Sequence, residues 1–459
     1  MHRSCPVKIL LLLLFSWIHI DSAKAVQVTE IMYNPPSEVK TSKKARSSVE
    51  TSTKTNDTSY EFIEFYNEKA DRLDLGQWQF TQGIKLQFPE GTIIEPRTYF
   101  LVAKNPEKLK QWYAKSYDRM IDVPVFGPFQ GSLNNRKDHL ILSDPAGGSI
   151  VDFAYSDRGQ WPLAADGTGH TLTKISPRLH PNRAENWRLS TNIGGTPGTV
   201  DKPPHLHQNK PDLASVIINE IAISSSHKSR RKSSPISVEI YNPTANTVDI
   251  SGYWLSDNPT KLKRYQVPES TQVSAGGHVV FTPDQLNFKL DLKNERLFFT
   301  NPSVSRVLDV CQFQRSSTES HLSWGRYPDG MSEWYVMPTS LEKTNKVELN
   351  TNIVINEIMY HPTNGPVKNE YVELYNRGTE DVDLSGWSVT GGISFKFPKR
   401  TVLASDAYLV VAKNASWLCS QYDLPTNQVV GNFKQTLSNG EDKVRLEDTL
   451  GNQVDQVHY

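Results

Sequence analysis

Three stretches of this 459-residue chain open alike: Val28-Thr29-Glu30-Ile31-Met32-Tyr33, Ile218-Asn219-Glu220-Ile221 and Ile355-Asn356-Glu357-Ile358-Met359-Tyr360. A second run follows each after a polar stretch, at Ile63-Glu64-Phe65-Tyr66-Asn67, Val238-Glu239-Ile240-Tyr241-Asn242 and Val372-Glu373-Leu374-Tyr375-Asn376. Each Asn is followed by an Asp between aliphatics (Asp74, Asp249, Asp383), then by an aromatic (Trp78, Tyr253, Trp387) and a Pro (Pro89, Pro268, Pro398). Another apolar run ends at Lys104, Pro283 and Lys413. A pattern repeated through so many anchors means that one structural unit is built three times.

Within each copy the apolar period is two, which reads as β-strand. The runs Thr98–Ala103, Gly277–Thr282 and Ala407–Ala412 are rich in β-branched and aromatic residues, and Gly, Pro, Asn and Asp separate the strands. Paired later strands recur at Asp138–Leu142 with Val151–Tyr155, Glu295–Phe299 with Val307–Phe313, and Asp442–Leu446 with Val454–Tyr459. Only Pro106–Tyr117 and Ala415–Tyr422 carry a helical spacing. The expectation is an all-β chain of tandem β-sandwiches, with the recurring Trp or Tyr in the core.

The first 25 residues read as an export signal. His2, Arg3 and Lys8 precede or open the apolar run Ile9–Phe15, and Ala23-Lys24-Ala25 supplies small residues at the cleavage site. The run is about half the length of a bilayer-spanning helix, and no later segment is long and apolar enough to span. The domain expectation is a signal peptide at 1–25, copy one at 26–198, a linker at 199–213, a divergent copy two at 214–339, a linker at 340–351, and copy three at 352–459. Copy one continues for about forty residues past Tyr155, the position matched by Tyr459, so copy three reads as incomplete at its C-terminus. Fifty basic residues balance fifty acidic ones, which argues against binding nucleic acid through bulk charge. Cys311 and Cys419 lie in different copies and read as buried free thiols rather than a disulfide.

Asn-Glu-Ile-Met-Tyr-His-Pro, Glu-Tyr-Val-Glu-Leu-Tyr-Asn, Val-Asp-Leu-Ser-Gly-Trp and the Asn186-Trp187…Gly-Gly-Thr-Pro-Gly ending resemble lamin-tail domains. The resemblance implies immunoglobulin-like β-sandwiches and, with the export signal and no coiled-coil rod, the secreted bacterial type. In that setting such domains are often joined to a larger catalytic or surface module, spore-coat CotH-like kinases among them.

Two sets of residues are candidates for function. Acidic side chains on neighbouring strands, Glu30 with Glu64, Glu220 with Glu239, and Glu357 with Glu373, could ligate Ca²⁺ through oxygen. They could equally be outward strand residues, or tie loops through backbone hydrogen bonds. Lys228, Arg230, Arg231 and Lys232 form a basic loop that could touch an acidic polymer or simply be solvated. No nucleophile elbow, phosphate loop, kinase signature or zinc-ligand cluster is present in the sequence, so neither catalytic residues nor a cofactor are expected. The sequence therefore reads as a secreted, non-catalytic binding or structural array, contacting protein or surface polymer through loops. Two alternatives stay open: an accessory region of a larger secreted enzyme whose catalytic domain lies beyond Tyr459, and a Ca²⁺-stabilised adhesin.

Overall fold

The structure is a computed structural model. It describes residues 26–36, 39–42, 51–54, 58–202, 216–223, 236–286, 288, 290, 293–314, 321–362 and 367–459. The proposed signal peptide, the basic cluster Lys228–Lys232 and most of the first proposed linker lie outside the described residues. The chain is all-β, built as tandem immunoglobulin-like β-sandwiches. Among the described residues, two α-helices run over Pro106–Tyr117 and Ala415–Tyr422, the spans that the apolar spacing predicts.

The chain forms two compact units, and copy two contributes residues to both. Of the described residues, the first unit holds those within 26–202, together with 252–267 and 296–312. Its six-stranded sheet has the order Trp187–Leu189, Leu172–Lys174, Val26–Met32, Phe62–Asn67, Tyr99–Ala103 and Val125–Phe126. A three-stranded sheet joins Ser149–Ser156, Lys137–Ser143 and Gln79–Gln82. Alternate side chains of both sheets meet in one core that contains Val28, Ile63, Phe65, Trp78, Phe100, Leu140, Phe153 and Trp187. The Phe153 and Trp187 rings stack at 4.9 Å. The helix Pro106–Tyr117 starts where Asn105 accepts the Lys108 amide, with Pro at its first turn, and stops at Asp118 in the left-handed region (φ 49°). Leu109 and Tyr113 fix it against Met32, Phe62 and Leu101.

Within this unit, residues of copy two pack on copy one. Ala164 shares a cluster with Leu262, Phe298 and Val307. Arg296 pairs with Asp166 at 2.5 Å and lies 3.6 Å from Asp157. Buried His170 accepts the Val307 amide on Nε2 at 2.9 Å, and its Nδ1 donates to the Ser190 carbonyl at 3.0 Å.

The second unit holds the described residues within 216–251, 268–295 and 313–459. A five-stranded sheet runs His278–Phe281, Ile236–Tyr241, Ile217–Ile223, Leu322–Arg326 and Trp334–Pro338. Copy three is a sandwich of two sheets. One runs Ile353–Met359, Tyr371–Asn376, Tyr408–Ala412 and Val429–Gly431; the other runs Lys434–Gln435, Ile393–Lys396, Ser388–Gly391, Lys443–Glu447 and Gln453–His458. Trp387, Leu374, Val389, Val411 and Leu446 fill its core. Asn452 is buried and grips Val336 from both sides, accepting its N–H at 2.7 Å and donating to its C=O at 2.9 Å. Cys311 is buried and Cys419 half-buried, and neither forms a disulfide.

The segments read as linkers begin inside packed structure. Asp201 is buried and accepts from Arg188 and from the Thr191 amide, both at 2.8 Å. Asn345 is also buried and donates to the Arg326 carbonyl at 2.8 Å. Polar composition alone does not separate a linker from a segment that satisfies buried partners.

Candidate functional site

Each repeated glutamate pair lies on the first two strands of its copy. Glu30 stands opposite Glu64, Glu220 opposite Glu239, and Glu357 opposite Glu373. In all three copies a β-bulge precedes the first glutamate, between Val28 and Glu30, Ile218 and Glu220, and Ile355 and Glu357. The bulge inserts one extra residue and re-aims the side chains beyond it. That extra residue donates to the second glutamate each time: Thr29 Oγ1 to Glu64 at 2.6 Å, Asn219 Nδ2 to Glu239 at 3.0 Å, and Asn356 Nδ2 to Glu373 at 2.8 Å.

In copies one and two the pair is buried, with 1% exposure or less at each carboxylate residue. Both pairs bind a later turn, in copy one near its end and in copy two at the start of the segment read as a linker. Glu30 accepts the Thr196 amide at 3.0 and 3.1 Å and the Thr196 hydroxyl at 3.1 Å, while Glu64 accepts the Gly198 amide at 2.6 Å. Glu220 accepts the Ser340 amide and hydroxyl, each at 3.0 Å, while Glu239 accepts the Glu342 amide at 2.6 Å. The shared geometry is a hydroxyl residue and the residue two further on, their N–H groups pointing at two carboxylates. In copy one the helix closes the site from outside. Tyr113 donates its hydroxyl to the Gly194 carbonyl, and Arg119 donates to the Gly195 carbonyl at 2.8 Å. Gly195, at φ +63°, passes so close that a Cβ there would lie 1.9 Å from Glu30 Oε1.

Burial sets the electrostatics of these pairs. Desolvation pushes Glu30 and Glu64 well above the usual carboxylate range, and Glu30 raises Glu64 further. Desolvation likewise raises Glu220, and brings Glu239 up to about 7. Among the described residues, no three His, Cys, Asp or Glu side chains converge to hold a metal ion.

Copy three differs. Glu357 is exposed and accepts the Tyr371 hydroxyl at 2.5 Å, and Glu373 is half-exposed. Among the described residues, no turn lies on this pair.

The other repeated polar residues also serve the fold. Asn67, Asn242 and Asn376 are fully buried at the end of the second strand, and each donates to three carbonyls of two flanking turns. Asp74, Asp249 and Asp383 each accept the amide two residues on, at Gly76, Ser251 and Ser385. Sequence reasoning missed a further pair. Glu61 accepts the Leu133 amide and Glu370 the Leu437 amide, while Lys104 and Lys413 lie over Phe129 and Phe433. The available signal was Glu three residues before the second glutamate, present in copies one and three and absent from copy two.

The family model for the lamin tail domain matches residues 20–157, 209–319 and 347–459. The chain belongs to the lamin tail domain family. The three matched segments of this lamin-tail chain each contain one of the glutamate pairs and the buried asparagine that ends the second strand. No curated protein matches it. Among solved structures, a transglutaminase from red sea bream aligns at 9% identity and a TM-score of 0.17. That alignment covers 69% of this chain and 39% of the transglutaminase. No helix among the described residues is long and apolar enough to cross a membrane.

Proposed function

We propose that this lamin-tail protein is an exported, non-catalytic array whose immunoglobulin-like modules bind protein or surface polymer. The observation that carries the reading is the use of the repeated polar residues: the Asn, Asp and paired Glu positions of copies one and two are committed to hydrogen bonds within the fold. Side chains whose lone pairs already hold backbone amides are poorly placed to do acid–base work on a substrate. Contact then falls to loops and open edges, with Lys228, Arg230, Arg231 and Lys232 as the basic contact for an acidic polymer. The apolar run at Ile9–Phe15 followed by Ala23-Lys24-Ala25 supports export and cell-surface placement.

Two measurements test this. Fractionation of expressing cells with N-terminal sequencing should recover a chain beginning at Val26 outside the cytoplasm; a cytoplasmic chain retaining residues 1–25 would overturn export. Purified chain should bind an acidic polysaccharide in a salt-sensitive way, and neutralising the four basic residues together should weaken it. Binding that ignores both salt and those substitutions would remove the basic loop from the interface.

A further inference from the structure

Copy one carries an open cleft on the outer side of its ribbon 79–87. The ribbon turns at Gly83 (φ +88°), so close to the neighbouring strand that a Cβ there would lie 2.2 Å from Leu140 Cδ2. Phe80, Ile84 and Phe88 are buried in the core, whereas Gln79, Thr81, Gln82, Lys85 and Gln87 are exposed. Gln130 joins them from the neighbouring segment, where it exchanges both backbone bonds with Lys85 at 3.0 and 2.9 Å. The cleft lined by these residues has a volume of about 550 Å³, inside the range of about 300–1,000 Å³ common for ligand sites.

The four glutamines of the cleft are not demanded by the scaffold. Copy three builds the same ribbon, with Ser388 opposite Lys396 where copy one has Gln79 opposite Gln87, and Ser394 opposite Lys434 where copy one has Lys85 opposite Gln130. Gly391 stands at the position of Gln82. Among the described residues, the carboxamides of Gln79 and Gln130 hold no partner within the fold. The other two are oriented: Gln87 donates to Gln77 Oε1 at 2.9 Å, and Gln82 donates to His139 Nδ1 at 3.1 Å. The imidazole is itself held by Asp152, 2.8 Å from its Nε2.

We propose that this cleft binds a neutral, hydroxyl-rich glycan chain. A carboxamide offers a donor and an acceptor side by side, and a sugar hydroxyl acts as both. Four carboxamides around one cleft match a run of adjacent hydroxyls without requiring charge on the ligand. Lys85 is the single ionic side chain lining the cleft, and one exposed cation gives little hold on a polyanion. A peptide strand finds no edge to join along the ribbon, because the Phe80 and Phe88 amides bond to Leu86 and Trp78, and Lys85 is paired with Gln130. A glycan here deepens the surface-polymer reading and rests on it, through residues other than the basic cluster.

The probes are cellohexaose, maltohexaose, mannohexaose and chitohexaose, each titrated calorimetrically into the full chain at low and at high salt. At least one should bind saturably, with an affinity indifferent to salt because no ion pair is involved. Gln79→Ser with Gln130→Lys brings in the residues that copy three carries on the same ribbon. That pair of changes should leave the melting temperature unchanged and weaken binding about tenfold or more, the scale of two lost hydrogen bonds. Failure of all the probes to bind, or binding indifferent to the substitutions, overturns the glycan cleft. Salt-sensitive binding of dextran sulfate that Lys85→Ala abolishes would give the cleft to a polyanion instead. Binding of unfolded β-casein that the two glutamine substitutions abolish, with no glycan bound, would give it to polypeptide. If the neutral probes fail while salt-sensitive binding of an acidic polysaccharide still depends on the four basic residues, the cleft proposal falls and the broader reading stands.

Discussion

Each copy buries completely the asparagine that ends its second strand, and its amide does the work of several backbone partners. Asn67 Nδ2 reaches the carbonyls of Asp71, Ile94 and Glu95, while its Oδ1 accepts the Lys69 amide at 3.0 Å. Asn376→Ala should strand the Glu380, Leu403 and Ala404 carbonyls and cost about 2–3 kcal/mol by urea denaturation, the scale of buried unsatisfied groups. Gly195 is a second sensitive position. Ala there meets both a left-handed φ and a contact with Glu30, so Gly195→Ala should lose about 3 kcal/mol, against about 1 kcal/mol for Gly159→Ala, where φ is also positive but no atom lies within 4 Å. Equal losses at the two sites would show that Gly195 is not held against the carboxylate. The buried glutamates add a pH signature. Their native pKa values lie above the ordinary 4.5, with Glu239 about 7. The native state therefore holds more protons than the unfolded chain across that window, and stability falls as pH rises through it. Melting temperatures taken from pH 5 to pH 7.5 should decline, and Glu239→Gln should flatten part of the decline. Because these oxygens already hold amides, EDTA should leave the melting temperature unchanged; a drop would return calcium to consideration. The sequence displayed the glutamate pairs openly, but not their burial. The turn that covers Glu30 lies 166 residues away, beyond the reach of strand periodicity.

At the scale of elements, most of the architecture was legible. Strand runs and both helices announce themselves through their period, and the structure moves the strand ends by only a residue or two. The helix starts can be tested directly. Asn105 and Asn414 both accept an amide three residues on, at 3.0 Å. Substituting either by Ala should cost about 1 kcal/mol, read as a lowered urea midpoint with an unchanged slope. The bulge was not legible, because an inserted residue leaves a period of two on either side of it. Its consequence is large. Without the bulge the first glutamate and its aliphatic neighbours would exchange faces, and the turn after the last strand would have no acceptors. Among the described residues, copy two has no α-helix after the strand His278–Phe281, where copies one and three have one. Its sequence reads Thr282-Pro283 where the others have Lys104-Asn105 and Lys413-Asn414, so the residue that caps the helix is missing.

For the whole molecule, cooperativity need not follow the repeat. Copy two divides its residues between two compact units, so the boundaries visible in the sequence are not the boundaries of packing. In the first unit the decisive contacts are His170 with the Val307 amide, and Asp166 with Arg296. Residues 26–202 produced alone would leave His170, the Asp166 carboxylate and the apolar surface at Ala164 without those partners. That fragment should melt below the corresponding transition of the intact chain. A fragment as stable as the intact chain would show that these contacts contribute nothing net. His170 gives the test a second readout. Burial lowers its pKa to about 4 from 6.5, so the unfolded chain binds the extra proton first as pH falls. Its contribution is complete above pH 6.5 and is lost as pH drops toward 4, opposite in sign to that of the glutamates. A protonated imidazole would also point a second donor at the Val307 amide, where only an acceptor fits. Between pH 6.5 and 4 this loss works against the gain from the buried glutamates of the same unit, so the readout is a difference: in calorimetry of the intact chain His170→Gln should leave the first unit gaining more stability, or losing less, on acidification than the parent. An unchanged profile in the variant would place the acid sensitivity elsewhere in the unit.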